Sequence, residues 1–446
     1  MKRWIIALAL LLTPSLALKA AWKTLDVNGD GRPEHVAITN LMDLALDENG
    51  EIIGWFVKPV KGRTIKDYGR ALNLIRKELP GPGLVGARFE KASFTRENGY
   101  LVARYEGPRG RLTYRISPSH YTVHLDYDLP EGGTFRLNGI GGSDRPTTKI
   151  LVKNADQPQP SGEGEAVYAA IQSQPTRGYA LVFWPKAPLF TRLKLQPPGA
   201  LIEADLPAGQ GTVRIYGGQN ELVRYHVEGL LELPGLFTPN VWGRLSLLII
   251  GLLEFFHDLV GNWGLAILLL TLAVRLLIWP LMHQQFKSMT AMQRLKPLVD
   301  EINKKYKDDP EKKNKALMEL YAEHKVNPAA GCLPMLIQLP ILFILWRVIA
   351  NYEFNEGFLW LPDLSLPDPY YILPVLYVAV MIAQTLLMAQ GNKDQLRQAL
   401  FMNLFFVYLI LQFPSGVTIY WVFSTLIGLL QQWMINKQLK AEPAKG

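Results

Sequence analysis

The sequence predicts a two-part fold: an exported antiparallel β-sandwich followed by a polytopic α-helical membrane domain with five core transmembrane helices. Three observations predict it. Residues 24–235 alternate apolar and polar side chains between turn signals, the pattern of half-buried strands. Residues 241–436 hold apolar blocks of roughly the 20 residues that a membrane helix needs. The chain also opens with a leader suited to export. At 446 residues it is long enough for both parts.

The leader comes first. Lys2 and Arg3 form a positive start, Trp4 to Leu12 an apolar stretch, and Thr13-Pro14-Ser15-Leu16-Ala17 offers small residues for cleavage. Residues 1–20 therefore read as a signal peptide or an N-terminal anchor, and either one exports the domain after it.

The exported domain, 24–235, contains YLVARYEG (100–107), RLTYRIS (111–117), YTVHLDYDL (121–129), YALVFWP (179–185) and TVRIYGG (212–218) as strands. Glu-Asn-Gly at 48–50 and 97–99, Gly-Pro-Arg-Gly at 107–110 and Gly-Gly-Gln-Asn at 217–220 punctuate them. Residues 67–79 carry a helical apolar spacing, and 153–165 read as a surface loop. Asp26, Asn28 and Asp30, followed by Gly31, resemble the start of a calcium loop, although Ala37 stands where a full EF-hand places glutamate. The other reading of the same residues is a tight turn entering the first strand.

Residues 241–260 mix Glu254, His257 and Asp258 with leucines and phenylalanines, as an amphipathic helix in the membrane interface does. The core, 261–436, has candidate spans near 262–282, 330–350, 370–390, 399–414 and 416–435. Loop charges orient them. The segment 283–328 is rich in lysine, from Lys287 to Lys325, whereas 351–369 carries Glu353, Glu356, Asp363 and Asp368 and no lysine or arginine. The positive-inside rule then puts the sandwich outside, with 283–328 and the basic tail 437–446 in the cytoplasm. Within 283–328, apolar residues at helical spacing and an Asp309-Pro310 start predict two short helices joined near Lys307–Asp309.

Much is excluded. There is no phosphate-binding GxxxxGK[ST] loop, no HExxH and no GxSxG, so neither an enzyme nor a cofactor is expected. Cys332 stands alone, so no internal disulfide forms. The net charge of +8 gathers beside the apolar blocks, where it sets orientation and does not bind nucleic acid.

The informative residue is Arg275, within the apolar run 268–280. A charge at bilayer depth costs about 2.5–3.5 kcal/mol on insertion scales. Thr271 lies one turn earlier on the same face. Gln338, Gln384, Asn403, Gln412, Thr418 and Ser424 lie at or near membrane depth on other spans. No acidic residue in those spans neutralises the arginine. Two readings stand: helix glue, or a watery cavity that attracts negative groups. The second admits a transporter or channel for an anionic solute, with Arg275 in its binding site. A third possibility makes the sandwich the working part of an envelope binding or scaffold protein.

The stretches WGLAILLLTLAVRLLIWPL, KSMTAMQRLKP, KYKDDPEKKNKALMELY, NPAAGCLPMLIQLPI and FPSGVTIYW together resemble the YidC membrane protein insertase family, in order and spacing, over about 240–436. The resemblance implies a hydrophilic groove open to cytoplasm and lipid and closed outside. The family's groove arginine aligns with Arg275, its threonine with Thr271, and its aromatic pair with Tyr420 and Trp421. The expected groove therefore comprises Arg275, Thr271, Gln338, Asn403, Gln412, Tyr420 and Trp421. In the cytoplasmic hairpin, Met289, Met292 and Met318 are soft contacts for varied apolar segments, or simply pack the hairpin. The implied partners are nascent membrane proteins, the lipid bilayer and the Sec translocon, with a ribosome or signal recognition pathway beside them. The implied location is the inner membrane.

Overall fold

A computed structural model of the protein describes residues 20–441, apart from 59–60, 141–145, 174–177, 198, 308, 325–332, 355–356, 390–396, 398–400, 402–405 and 408–409. At 284–294, 296, 333–338, 388–389, 436 and 439–441 it describes the backbone alone. The expected leader, 1–19, lies outside the described residues, as does half of the fourth candidate span.

Up to Gly243 the regular structure of the described chain is antiparallel strand, apart from two short helical turns after β16. Strands β1 (Ala21–Leu25), β2 (Glu34–Ile38), β3 (Met42–Leu46) and β4 (Ile52–Val57) form one sheet in sequence order. The second sheet contains β5 (Gly83–Leu84), β6 (Lys91–Glu97), β7 (Tyr100–Gly107), β8 (Gly110–Ile116), β9 (Thr122–Leu129), β10 (Gly133–Gly139) and β11 (Thr147–Val152). It continues through β12 (Gly162–Gln172), β13 (Tyr179–Pro185), β14 (Leu189–Gln196), β15 (Gly199–Leu206) and β16 (Gly209–Gln219). Its order is β5-β10-β15-β14-β12-β13-β16-β9-β8-β7-β6, with β11 on β12. Both sheets feed one core, in which Trp55, Tyr105, Tyr114, Tyr168 and Tyr216 are fully covered.

Trp55 on β4 locks the sheets together. Its indole Nε1 donates to Gly217 O on β16 at 2.9 Å, and a side chain at 217 would collide with its ring. That explains why Gly217–Gln219 continue a strand where the sequence reads as a turn. A buried ion pair lies within the smaller sheet: Lys58 Nζ is 2.9 Å from Asp43, which also accepts the Tyr68 hydroxyl at 2.9 Å.

Three local expectations need correction. Residues 67–79 are turns that pair irregularly with β4, because Asn73 Oδ1 accepts the amides of Trp55 and Ile75 and so competes with a helix. The loop expected at 153–165 ends earlier, since β12 begins at Gly162. The first membrane helix does not stop at the head of the hairpin but continues through Pro280 to Arg294.

The second unit is helical. After α1 (Leu222–Val227), which closes the sandwich sequence, come α2 (Val241–Val260), α3 (Trp263–Arg294), α4 (Lys296–Lys305), α5 (Pro310–Glu323), α6 (Leu333–Asn351), α7 (Ile372–Ala389) and α8 (Ser415–Ala441). Among the described residues, the segment Trp263–His283 is long and apolar enough to cross a membrane, and Leu339–Asn351 and Ile372–Leu387 are shorter apolar stretches. As expected, α2 is two-sided. Leu248, Phe255 and Leu259 are exposed, whereas Ser246, Ile250 and Leu253 are buried. Tyr352 donates to Glu254 at 2.9 Å, and His257 stacks on Trp263 with ring centroids 3.8 Å apart.

Candidate functional site: a buried arginine in the helical bundle

On α3, Ala266, Ile267, Leu270, Thr271 and Arg275 form the buried stripe, and Leu272, Leu276 and Leu277 the exposed one. Arg275 is only 9% exposed, and its Nε donates to Ser424 Oγ on α8 at 2.7 Å. Among the described residues it has no acidic partner, and its electrostatic neighbour is Tyr420. Tyr420, Ser424 and Gly428 recur every four residues, so α8 turns one continuous face towards α3. Lower on the same side, Gln431 Nε2 donates to Trp279 O at 3.2 Å. From α7, the Gln384 amide nitrogen reaches the same neighbourhood: a Cβ added at Gly428 would lie 3.7 Å from it and 3.8 Å from Arg275 Nη1.

The structure sorts the remaining expected residues. Thr271 is buried beside Arg275, but its hydroxyl donates to Ile267 O of its own helix at 2.6 Å. Thr385, Thr418 and Thr425 bond back four residues in the same way. Tyr420 faces Arg275. Trp421, about 100° further round the helix, enters an aromatic cluster with Tyr377, Phe406 and Phe413 at 5.2, 5.7 and 5.6 Å. Gln412 is exposed in the turn before α8, which reaches Ser424 only about two and a half helical turns after its start, and it does not join the arginine. The side chains of Gln338, Asn403, Met289 and Met292 lie outside the described residues. Met318 on α5 is 73% exposed, which suits a contact surface better than a packed hairpin. Asp309 caps α5 through Lys312 N at 3.0 Å, as its sequence position predicts.

The connection before α7 is tied to the ends where α3, α7 and α8 begin. Asn262 caps α3 through Gly264 N at 2.9 Å and donates to Gly357 O at 3.3 Å. The Phe358 ring lies directly over Gly264. The amides of Ser415 and Gly416 donate to Leu366 O and Leu364 O at 2.7 and 2.9 Å. Asp368 caps α7 through Leu373 N at 2.7 Å and holds the Trp360 indole at 3.1 Å. Residues of 357–371 are thus tied to three helix starts. Sequence reasoning named neither Gly264 nor Gly428, since a single helical glycine carries no signal until its neighbours are known.

At the start of the sandwich, Asp26, Asp30 and Glu34 bring carboxylate oxygens within 4.8 Å of one another. Asp26 accepts the Gly29 and Gly31 amides, Asp30 that of Arg32, and Glu34 that of Val27. These bonds build the tight turn that is the alternative to a calcium loop. Sequence reasoning did not name Glu34, which stands at the ninth loop position, not the twelfth.

Among the described residues, a buried arginine without an acidic partner, where three apolar helices meet, fits a helical bundle of a membrane protein. Comparisons narrow the class. Residues 255–442 match the family model described as 60Kd inner membrane protein. The membrane protein insertase YidC of Deinococcus radiodurans is 41% identical over 361 residues, covering 77% of this chain and 84% of the relative. The Neisseria gonorrhoeae protein of that name is 29% identical over 459 residues, covering 94% and 82%. For the Nitratidesulfovibrio vulgaris (Miyazaki F) relative, 41% identical over 202 residues, the match spans 38% of its length. A crystal structure of an active YidC insertase with its first transmembrane domain resolved superposes with a TM-score of 0.63 at 23% identity, covering 96% of this chain and 98% of that one. The chain belongs to the YidC family of membrane protein insertases.

Proposed function

We propose that the protein receives nascent apolar segments in a positively charged groove centred on Arg275, helps a short polar tail across, and releases the helix into lipid. The observation that carries this reading is Arg275 itself. It is buried at bilayer depth, its Nε engages only the Ser424 hydroxyl, and its charge is unneutralised among the described residues. Such a charge draws an acidic tail into a barrier that the tail would otherwise avoid. The membrane potential, worth about 2.3 kcal/mol per charge per 100 mV, then pulls that tail outward. Burial of about 20 apolar residues drives the following helix into lipid. No bond is made or broken, and no nucleotide is needed.

The same reading puts the sandwich outside, the connection 352–371 at the outer face, and α4, α5 and the C-terminus in the cytoplasm. The acidic 351–369 connection and the lysines of 283–328 support that orientation. Exposed Met318 and Leu298 would offer soft contacts to arriving segments, with the Sec translocon and a ribosome or signal recognition pathway as neighbouring partners.

The test is insertion of a single-span substrate with an acidic exported tail into liposomes holding only this protein. Wild type is expected to protect the tail, and Arg275→Ala to protect several-fold less. Equal protection by both would remove the charge from the mechanism.

A further inference from the structure

Gly428 lies in the middle of α8, where a glycine costs about 0.5–1 kcal/mol relative to alanine. Crowding accounts for Gly416 and Gly264, while Gly251 on α2 meets nothing within 4 Å among the described residues. A Cβ at Gly416 would come within 2.9 Å of Ile349 Cγ2 and 3.1 Å of Ile267 Cδ1, and one at Gly264 would enter the Phe358 ring. It does not account for Gly428. Among the described residues, a Cβ there would meet nothing closer than 3.7 Å, an ordinary van der Waals distance, and the backbone is plainly helical.

What distinguishes the position is its neighbours. The two atoms nearest to that point are both nitrogen donors, Gln384 Nε2 from α7 at 3.7 Å and Arg275 Nη1 from α3 at 3.8 Å. Arg275 spends Nε on Ser424, and neither Nη1 nor the Gln384 amide has a hydrogen-bond partner among the described residues. Two donors from different helices therefore converge on a hollow that a methyl group would fill.

We propose that Gly428 keeps open the seat of one substrate carboxylate, held between Arg275 Nη1 and Gln384 Nε2. The proposal rests on the groove reading above and assigns it a dimension. A carboxylate has two oxygens that accept N–H donors at about 2.7–3.2 Å, so it bridges two donors approaching one point from different helices. One guanidinium beside one neutral amide carries a single positive charge, which matches a single carboxylate. A neutral tail gains only ordinary hydrogen bonds there, while an acidic one gains a charge-assisted pair. Gly428 thus acts as a specificity-determining residue by leaving both donors uncovered.

The experiment compares two single-span substrates in liposomes of the full-length protein, one with acidic tail residues and one with their Asn and Gln counterparts. The readout is the ratio of acidic-tail to neutral-tail insertion. Gly428→Ala is expected to melt no lower than wild type, because alanine favours the helix, and to cut the ratio several-fold. Gln384→Met, similar in length but without the donor, is expected to cut it as well and stands as the second variant if Gly428→Ala does not accumulate. A wild-type ratio retained in both variants overturns the proposal while leaving the groove intact. So does an equal loss for both tails, which would make the position one of packing. A ratio near one in wild type itself, unchanged in Arg275→Ala, sinks the groove reading and this proposal together.

Discussion

Glu228 is buried to all but 3% of its side chain and accepts the Tyr121 amide at 2.7 Å, with the His120 ring 3.6 Å away. The bond to Glu228 raises the imidazole's pKa above its usual 6.5, overcoming the opposite pull of burial. The fold therefore prefers protonated His120. Its contribution is complete below about pH 6.5 and is lost as pH rises through the raised value. Burial pushes His35 and His124 down, so their contributions are lost in the opposite direction, as pH falls. A global melt mixes these effects, but an amide held by one carboxylate does not. Hydrogen exchange at the Tyr121 amide, corrected for its intrinsic rate, is expected to lose protection as pH rises through the raised value, and His120→Gln to flatten that slope. A slope that persists in the variant would dissociate the histidine from the bond.

Elements show how far pattern carries and where it stops. At Gly264, the first turn of α3 runs under the Phe358 ring, so Gly264→Ala is expected to destabilise this packing by about 1–3 kcal/mol, as overpacking does. Phe358→Ala, by clearing the space, should make the glycine substitution nearly harmless; additive losses in the thermal midpoint would show that the two do not touch. The strand at 122–129 is legible because its burial alternates, whereas 100–107 and 179–185 are legible from their β-branched and aromatic residues, since Leu101–Ala103 and Ala180–Phe183 are buried without a break. Residues 67–79 deceive because Leu72, Ile75 and Leu79 keep a helical spacing, while Asn73 offers the backbone a better partner in β4 than a helix would. The first membrane helix reaches Arg294 because Pro280, inside it, bends rather than ends a segment held by its neighbours. The polar groups of the site were legible one by one, since each stands out in an apolar run. Their meeting was not, because Arg275 and Ser424 stand 149 residues apart with Gln384 between them, and only the packing of three helices joins them.

For the whole molecule, the decisive feature is the division at Gly243–Arg244 into two compact units. The sandwich buries its own aromatic core around Trp55 and Tyr216. The described polar groups around Arg275 come from α3, α7 and α8, and residues of 357–371 are tied to the starts of those helices. Each unit therefore holds the interactions that define it. If the bundle is the working part, a chain lacking 24–235, with its leader joined ahead of α2, should insert an acidic-tailed substrate to a similar extent as the full chain. Arg275→Ala should depress both to the same degree. The reading requires that the shortened protein keep the melting transition of the bundle, which separates loss of function from loss of fold. A shortened protein that melts normally yet inserts nothing would move the sandwich from passenger to participant. The envelope-binding role that the sequence left open for it would then become part of insertion itself.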